Sequence, residues 1–233
     1  MTARPVFLHG AGGGTFTWAS QEQRFEGCYV LALPGHPAGT PLRTVGGNAE
    51  WVAHALREVP GPRIIIGHSM GGAIAMHLAL IAPELVDGLV LISTAARFSV
   101  PEAAVGAARS DVAHAADRLL NRGWPGIDTA THAEEVALIV DNGAETLARD
   151  YEAVIAFDLT DRLGELSVPT LVIVGTDDRI TPPGDAAVLH LGIPDSALVQ
   201  IPDSGHFPMR EHPDTVSLLI AGFMAQVEVA SDG

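Results

Sequence analysis

Residues 63–80 leave few folds open: Arg63-Ile-Ile-Ile-Gly-His-Ser69-Met-Gly-Gly-Ala-Ile-Ala-Met-His-Leu-Ala-Leu80. The β-branched opening has the composition of a buried strand. The Ala-, Met- and Leu-rich close has that of a packed helix. Between them lies Gly67-His68-Ser69-Met70-Gly71, a G-x-S-x-G run with a strand before it and a helix after it. A serine on so tight a turn is expected to take a strained backbone and push its hydroxyl out of the sheet. Gly67 and Gly71 are needed because a side chain at either place would strike the neighbouring strand or helix. A helix that starts at the serine turns its dipole and free N–H groups toward any oxyanion formed there. A plain Gly-rich turn with a surface serine is the competing reading; the strand-to-helix context favours a nucleophile.

At 233 residues the chain suits one domain with room for an inserted cap, and 47% hydrophobic content supplies a substantial core. No apolar run is long enough to span a bilayer. Met1-Thr-Ala-Arg-Pro5 runs straight into Val6-Phe-Leu8 without the basic and apolar regions of a signal peptide, so a cytoplasmic protein is expected. The single Cys28 excludes an intramolecular disulfide and reads as a small hydrophobe in a strand. A net charge of −15 argues against nucleic acid or an anionic membrane as a partner. The expected partner is a small molecule, and the chain is expected to be a monomer or homodimer. All 13 basic residues are arginine, so no mechanism here can use a lysine.

Strand-like segments cover Val6-Phe-Leu8 and residues 28–33, 63–66, 86–93, 169–174 and 197–201, with helical patterns at 48–59, 185–191 and 213–227. Asn48 is the expected N-cap of the first of these helices. Alternation of this kind implies a mostly parallel sheet with helices on both faces and a site at the carboxyl ends of the strands. Residues 97–166 break the pattern with helices near 101–122, 132–142 and 144–157, which fits a cap inserted into a core of 1–96 and 167–233. Gly10 to Gly14 after the first strand could form an oxyanion loop, because glycines leave backbone N–H groups unobstructed. It lacks the Lys-Ser/Thr of a phosphate loop and the spacing of a dinucleotide fingerprint.

A serine needs a base, and the base needs an acid to orient it. Of ten histidines, His54, His77, His114, His132 and His190 lie in helical contexts, and His68 flanks the serine with its side chain expected to point away. His206, in Ser-Gly-His after the last strand, completes the order Ser…Asp…His. Asp177 and Asp178 compete for the acid. Metal spacings are missing and one cysteine cannot build a thiolate site, so no metal or cofactor is expected.

The strand–G-x-S-x-G–helix unit, His9-Gly10, Pro34-Gly35-His36, Gly175-Thr-Asp-Asp178-Arg-Ile-Thr-Pro182 and Ser-Gly-His206 together resemble the α/β-hydrolase superfamily. That resemblance implies the α/β-hydrolase fold, here with about six strands because the strand carrying His9-Gly10, which two strands precede in the full fold, starts almost at Met1. It selects Asp178 through a G-x-x-D-x-[IVL]-x-P pattern. It also implies an oxyanion hole from the N–H groups of Ala11 and Met70, with His9 bracing the loop. The short start, His-Gly-Ala and Gly-His-Phe-Pro-Met are similar to the small methylesterase and hydroxynitrile lyase branch. Phe207 stands where those lyases carry a lysine, which weighs against cyanohydrin chemistry. The expected activity is that of a serine carboxylesterase with the triad Ser69, Asp178 and His206. The same triad serves carbon–carbon bond hydrolases, lactonases, thioesterases, perhydrolases and ligand-binding receptors. Phe98, Trp124, Phe157 and Phe207 are the aromatic candidates for the substrate pocket.

Overall fold

The computed structural model describes residues 3–231; Met1, Thr2 and residues 232 and 233, assigned by sequence to the core, lie outside the described residues. The order of elements is β1 (Arg4–Leu8), α1 (Ala19–Glu22), β2 (Tyr29–Leu31), α2 (Val45–Leu56), β3 (Arg63–His68), α3 (Met70–Ile81) and β4 (Gly88–Ile92). Four helices follow, α4 (Ala103–Ser110), α5 (Val112–Gly123), α6 (Thr129–Asn142) and α7 (Ala144–Ile155). The chain then returns to β5 (Thr170–Gly175), α8 (Pro183–Gly192), β6 (Ser196–Ile201), α9 (Pro208–Glu211) and α10 (Pro213–Ser231).

Among the described residues the sheet has six strands, ordered β2-β1-β3-β4-β5-β6, with every neighbouring pair parallel. Strand periodicity sorts its side chains into two cores. Leu8, Ile65, Leu91 and Val172 face one way, onto α2, α3 and α8. Phe7, Ile66, Val90 and Ile173 face the other, onto Trp18 and α10. The chain runs from β1 to one side as β2 and crosses back to the other as β3. A crevice therefore opens beyond the carboxyl ends of β1 and β3, the switch point where sites form in such sheets.

Several boundaries differ from expectation for local reasons. Cys28 precedes β2 and is half-buried against the second core. Helix α2 begins at Val45, because the Thr44 hydroxyl accepts from Gly47 N at 3.0 Å; Asn48 lies inside the helix and donates to the Thr44 carbonyl. The single helix expected at 101–122 is two, since the Asp111 carboxylate caps a new start by accepting from His114 N. Helices α4 to α7 pack into their own small core, rich in alanine, around Ala108, Ala116, Leu120 and Leu147. Among the described residues no helix is long and apolar enough to cross a membrane.

Candidate active site

Ser69 joins β3 to α3 at φ 51° and ψ −116°, a conformation that costs a non-glycine residue of order 1–3 kcal/mol. The surroundings enforce it. A Cβ on Gly67 would stand 2.3 Å from the Gly71 carbonyl oxygen, and one on Gly71 would stand 2.3 Å from that of Leu8. The Ser69 N–H donates to the Ile92 carbonyl at 3.0 Å, and the Thr94 hydroxyl donates to the Ser69 carbonyl at 2.7 Å. The elbow is thus locked on both sides.

Asp178 and His206 come from the loops after β5 and β6. His206 Nδ1 lies 2.9 Å from Asp178 Oδ2 and 3.1 Å from Oδ1. With Nδ1–H committed to the carboxylate, Nε2 is left to take a proton. The carboxylate also accepts from the N–H groups of Ile180 at 2.8 Å and Thr181 at 3.0 Å, and from the Thr181 hydroxyl at 2.9 Å. Burial alone would raise the Asp178 pKa, but the charge and hydrogen bond of His206 and these donors outweigh it and hold it at about 2. Asp177 is exposed, on the outside of the same turn.

His206 is fixed through its backbone as well. Glu211 accepts from the N–H groups of Gly205 at 2.8 Å and Phe207 at 3.0 Å, on either side of His206. His68 Nε2–H donates to the His206 carbonyl at 2.9 Å, and the two rings pack with centroids 4.8 Å apart. The side chain of His68 therefore does not point away, as expected from its place beside the serine. It lines the same cavity, and burial together with the neighbouring His206 drives its pKa down, so it is a neutral brace.

His9 is buried, donates from Nδ1 to the Gly10 carbonyl at 2.9 Å and accepts from Leu33 N at 3.2 Å. Burial, then the charge of His36, lowers its pKa to about 3, so it braces the Gly10–Gly14 loop as a neutral group.

Ser69, His206 and Ala11 line a common cavity of about 40 Å³. Beyond His68 and Tyr151 its remaining wall is apolar, with Phe98, Val100, Leu119 and Val154 supplied by the helical insertion and its entry, and Phe207 beside His206. Trp124 and Phe157 are not in that wall. Trp124 stacks on Phe207 with centroids 5.8 Å apart, and Phe157 packs against Phe98 in the first core. Met70 N is the first helical N–H after the serine, and its side chain is fully buried. The wall residues Leu119 and Val154 escaped the sequence reading because aliphatic residues on amphipathic helices carry no mark of a pocket. Chemically, a hydroxyl on a strained turn, an imidazole oriented by a buried carboxylate and a helix N-terminus can perform acyl transfer.

The family model described as "Alpha/beta hydrolase family" matches residues 6–217. A pimeloyl-[acyl-carrier protein] methyl ester esterase of Aromatoleum aromaticum is 32% identical, over 92% of this chain and 95% of its own. A protein of Azorhizobium caulinodans that bears, as a provisional name, carbamate hydrolase RutD is 28% identical over 96% of this chain and 92% of its own. Among solved structures, a thermophilic esterase superimposes with a TM-score of 0.88 at 28% identity, covering 96% of this chain and 90% of that one.

Proposed function

This chain belongs to the alpha/beta hydrolase family, and from that premise we propose that it cleaves a carboxylic ester of a small or medium-sized substrate through an acyl-enzyme on Ser69. The observation that carries the reading is the pair of 2.9 and 3.1 Å contacts from His206 Nδ1 to Asp178, made within reach of a cavity that Ser69 shares. In this mechanism His206 Nε2 removes the Ser69 proton as the hydroxyl attacks the acyl carbon. The N–H groups of Ala11 and Met70 stabilise the tetrahedral oxyanion. The protonated imidazole then gives its proton to the departing alcohol oxygen. Water, activated by the same imidazole, releases the acid and restores the serine. Asp178 stays ionised throughout, holding the ring and stabilising its transient charge. The esterase names among the relatives support ester over carbon–carbon chemistry, and a carbamate is the nearest variant of the same acyl transfer.

Ser69→Ala tests the assignment. We expect the wild type to hydrolyse p-nitrophenyl acetate repeatedly and to be labelled by a fluorophosphonate. The variant should lose both, with an unchanged circular dichroism spectrum. Labelling that persists in the variant would remove Ser69 from the mechanism.

A further inference from the structure

The helical insertion does more than roof the cavity. Asp150 on α7 is 3% exposed and sits between two elements of the core. Its Oδ2 accepts from Gly12 N at 2.8 Å and lies 3.0 Å from His36 Nε2. The other nitrogen of His36 faces the Leu33 carbonyl at 3.2 Å. Burial opposes charge on His36, but Asp150 and these hydrogen bonds outweigh it and raise its pKa. Asn142, the last residue of α6, donates from Nδ2 to the carbonyls of Gly12 at 2.9 Å and Gly13 at 2.7 Å.

These contacts fall on consecutive peptide planes. Asp150 holds the plane between Ala11 and Gly12 through its N–H. Asn142 holds the next two through their carbonyls. The N–H of the plane between Gly12 and Gly13 donates to the Gly10 carbonyl at 3.0 Å. That carbonyl shares a rigid plane with the Ala11 N–H, the proposed oxyanion donor. Gly12 itself sits at φ 69°, which strains any other residue, and a Cβ there would crowd Leu147 at 3.0 Å and Ile139 at 3.2 Å. The loop is shaped to the insertion and not only to the sheet.

We infer that Asp150 and Asn142 are positioning residues that aim the Ala11 N–H, so that the insertion sets the oxyanion hole. The inference rests on the acyl-transfer reading above. The competing account is that both side chains merely fasten the insertion to the core.

Asp150→Ala, Asp150→Asn and Asn142→Ala separate the two. Loss of one oxyanion donor costs about 10²–10³ in kcat, and a misaimed one somewhat less. With p-nitrophenyl acetate, Asp150→Ala should therefore lower kcat by about ten- to a hundredfold while KM stays within about twofold. Asp150→Asn should recover most of the loss, because an amide oxygen in the place of Oδ2 still accepts from Gly12 N and can accept from the Nε2–H tautomer of a neutral His36. Asn142→Ala, which leaves the Asp150–His36 contact intact, should also lower kcat at constant KM, and it carries the test should Asp150→Ala fail to fold. Equal kcat losses in Asp150→Ala and Asp150→Asn, or a wild-type kcat in Asn142→Ala, would overturn the inference. If the wild type shows neither turnover nor fluorophosphonate labelling, the acyl-transfer reading fails by itself. Hydrogen–deuterium exchange over residues 10–14 then decides alone. Faster exchange there in Asn142→Ala, with the loop after β6 unchanged, upholds the clamp, and unchanged exchange there sinks it.

Discussion

Asp178 shows how a single side chain can carry both orientation and stability. Its folded pKa of about 2 lies below that of an unfolded aspartate. The stabilisation from its charge is therefore complete above about pH 4 and is lost as pH falls through about 2. Comparing the wild type with Asp178→Asn, the gap in unfolding free energy should be flat above pH 4 and close toward pH 2. A gap that did not narrow in acid would mean that the carboxylate is not held by His206. The same variant should cost about 10⁴ in kcat, because an amide can hold the imidazole in the wrong tautomer. Asp178 was legible because it sits within a short local pattern, and so was Ser69. Thr181, whose hydroxyl reaches Asp178 at 2.9 Å and His206 Nδ1 at 3.2 Å, occupies a position that such a pattern leaves open. His68 was misjudged because its partner carbonyl lies 138 residues away, a relation that no local spacing carries. Asp150 was invisible for the same reason: Gly12 is 138 residues distant.

At the scale of elements, the strands were readable because both faces of the sheet are covered, which makes them continuous β-branched runs. The helices of the insertion were readable in outline only. Their ends are set by single caps such as Asp111 and Asp128, which outweigh the apolar pattern on either side. What the insertion does to substrates follows from size. A cavity of about 40 Å³ admits an acetyl-sized group, whereas drug-sized ligands occupy roughly 300–1,000 Å³. Short acyl chains should therefore be hydrolysed best. Leu119, with Ala11, His68 and Phe207, lines both this cavity and a second one of about 20 Å³ that Phe16, Thr17 and Ile139 also line. Leu119→Ala should join the two and raise kcat/KM for a hexanoyl ester over an acetyl ester by about tenfold or more, since each methylene is worth about 1–3 kcal/mol in an apolar pocket. Phe157→Ala and Trp124→Ala should lower the melting temperature and keep the chain-length preference. An unaltered profile in Leu119→Ala would show that the acyl group lies elsewhere.

For the whole molecule, a net charge of −15 sets a field that every substrate must cross. Lowering ionic strength from about 0.15 M to 0.01 M lengthens the screening distance from about 8 to 30 Å. The kcat/KM for an anionic p-nitrophenyl monoester should then fall severalfold, while that for the neutral acetate stays constant. Equal responses from the two esters would mean that the cavity mouth does not feel the global charge. The order of the strands adds a constraint in time. Ser69 follows β3, near the first third of the chain, while His206, its proposed base, follows β6, the last strand in chain order. A ribosome releases the elbow long before it releases His206, so a chain halted after β5 and its loop carries Ser69 and Asp178 but has no imidazole between them. If Ser69 and His206 act as proposed, reactivity is withheld until the final strand docks, and any cut between β5 and β6 that frees the C-terminal piece returns the serine to an ordinary alcohol.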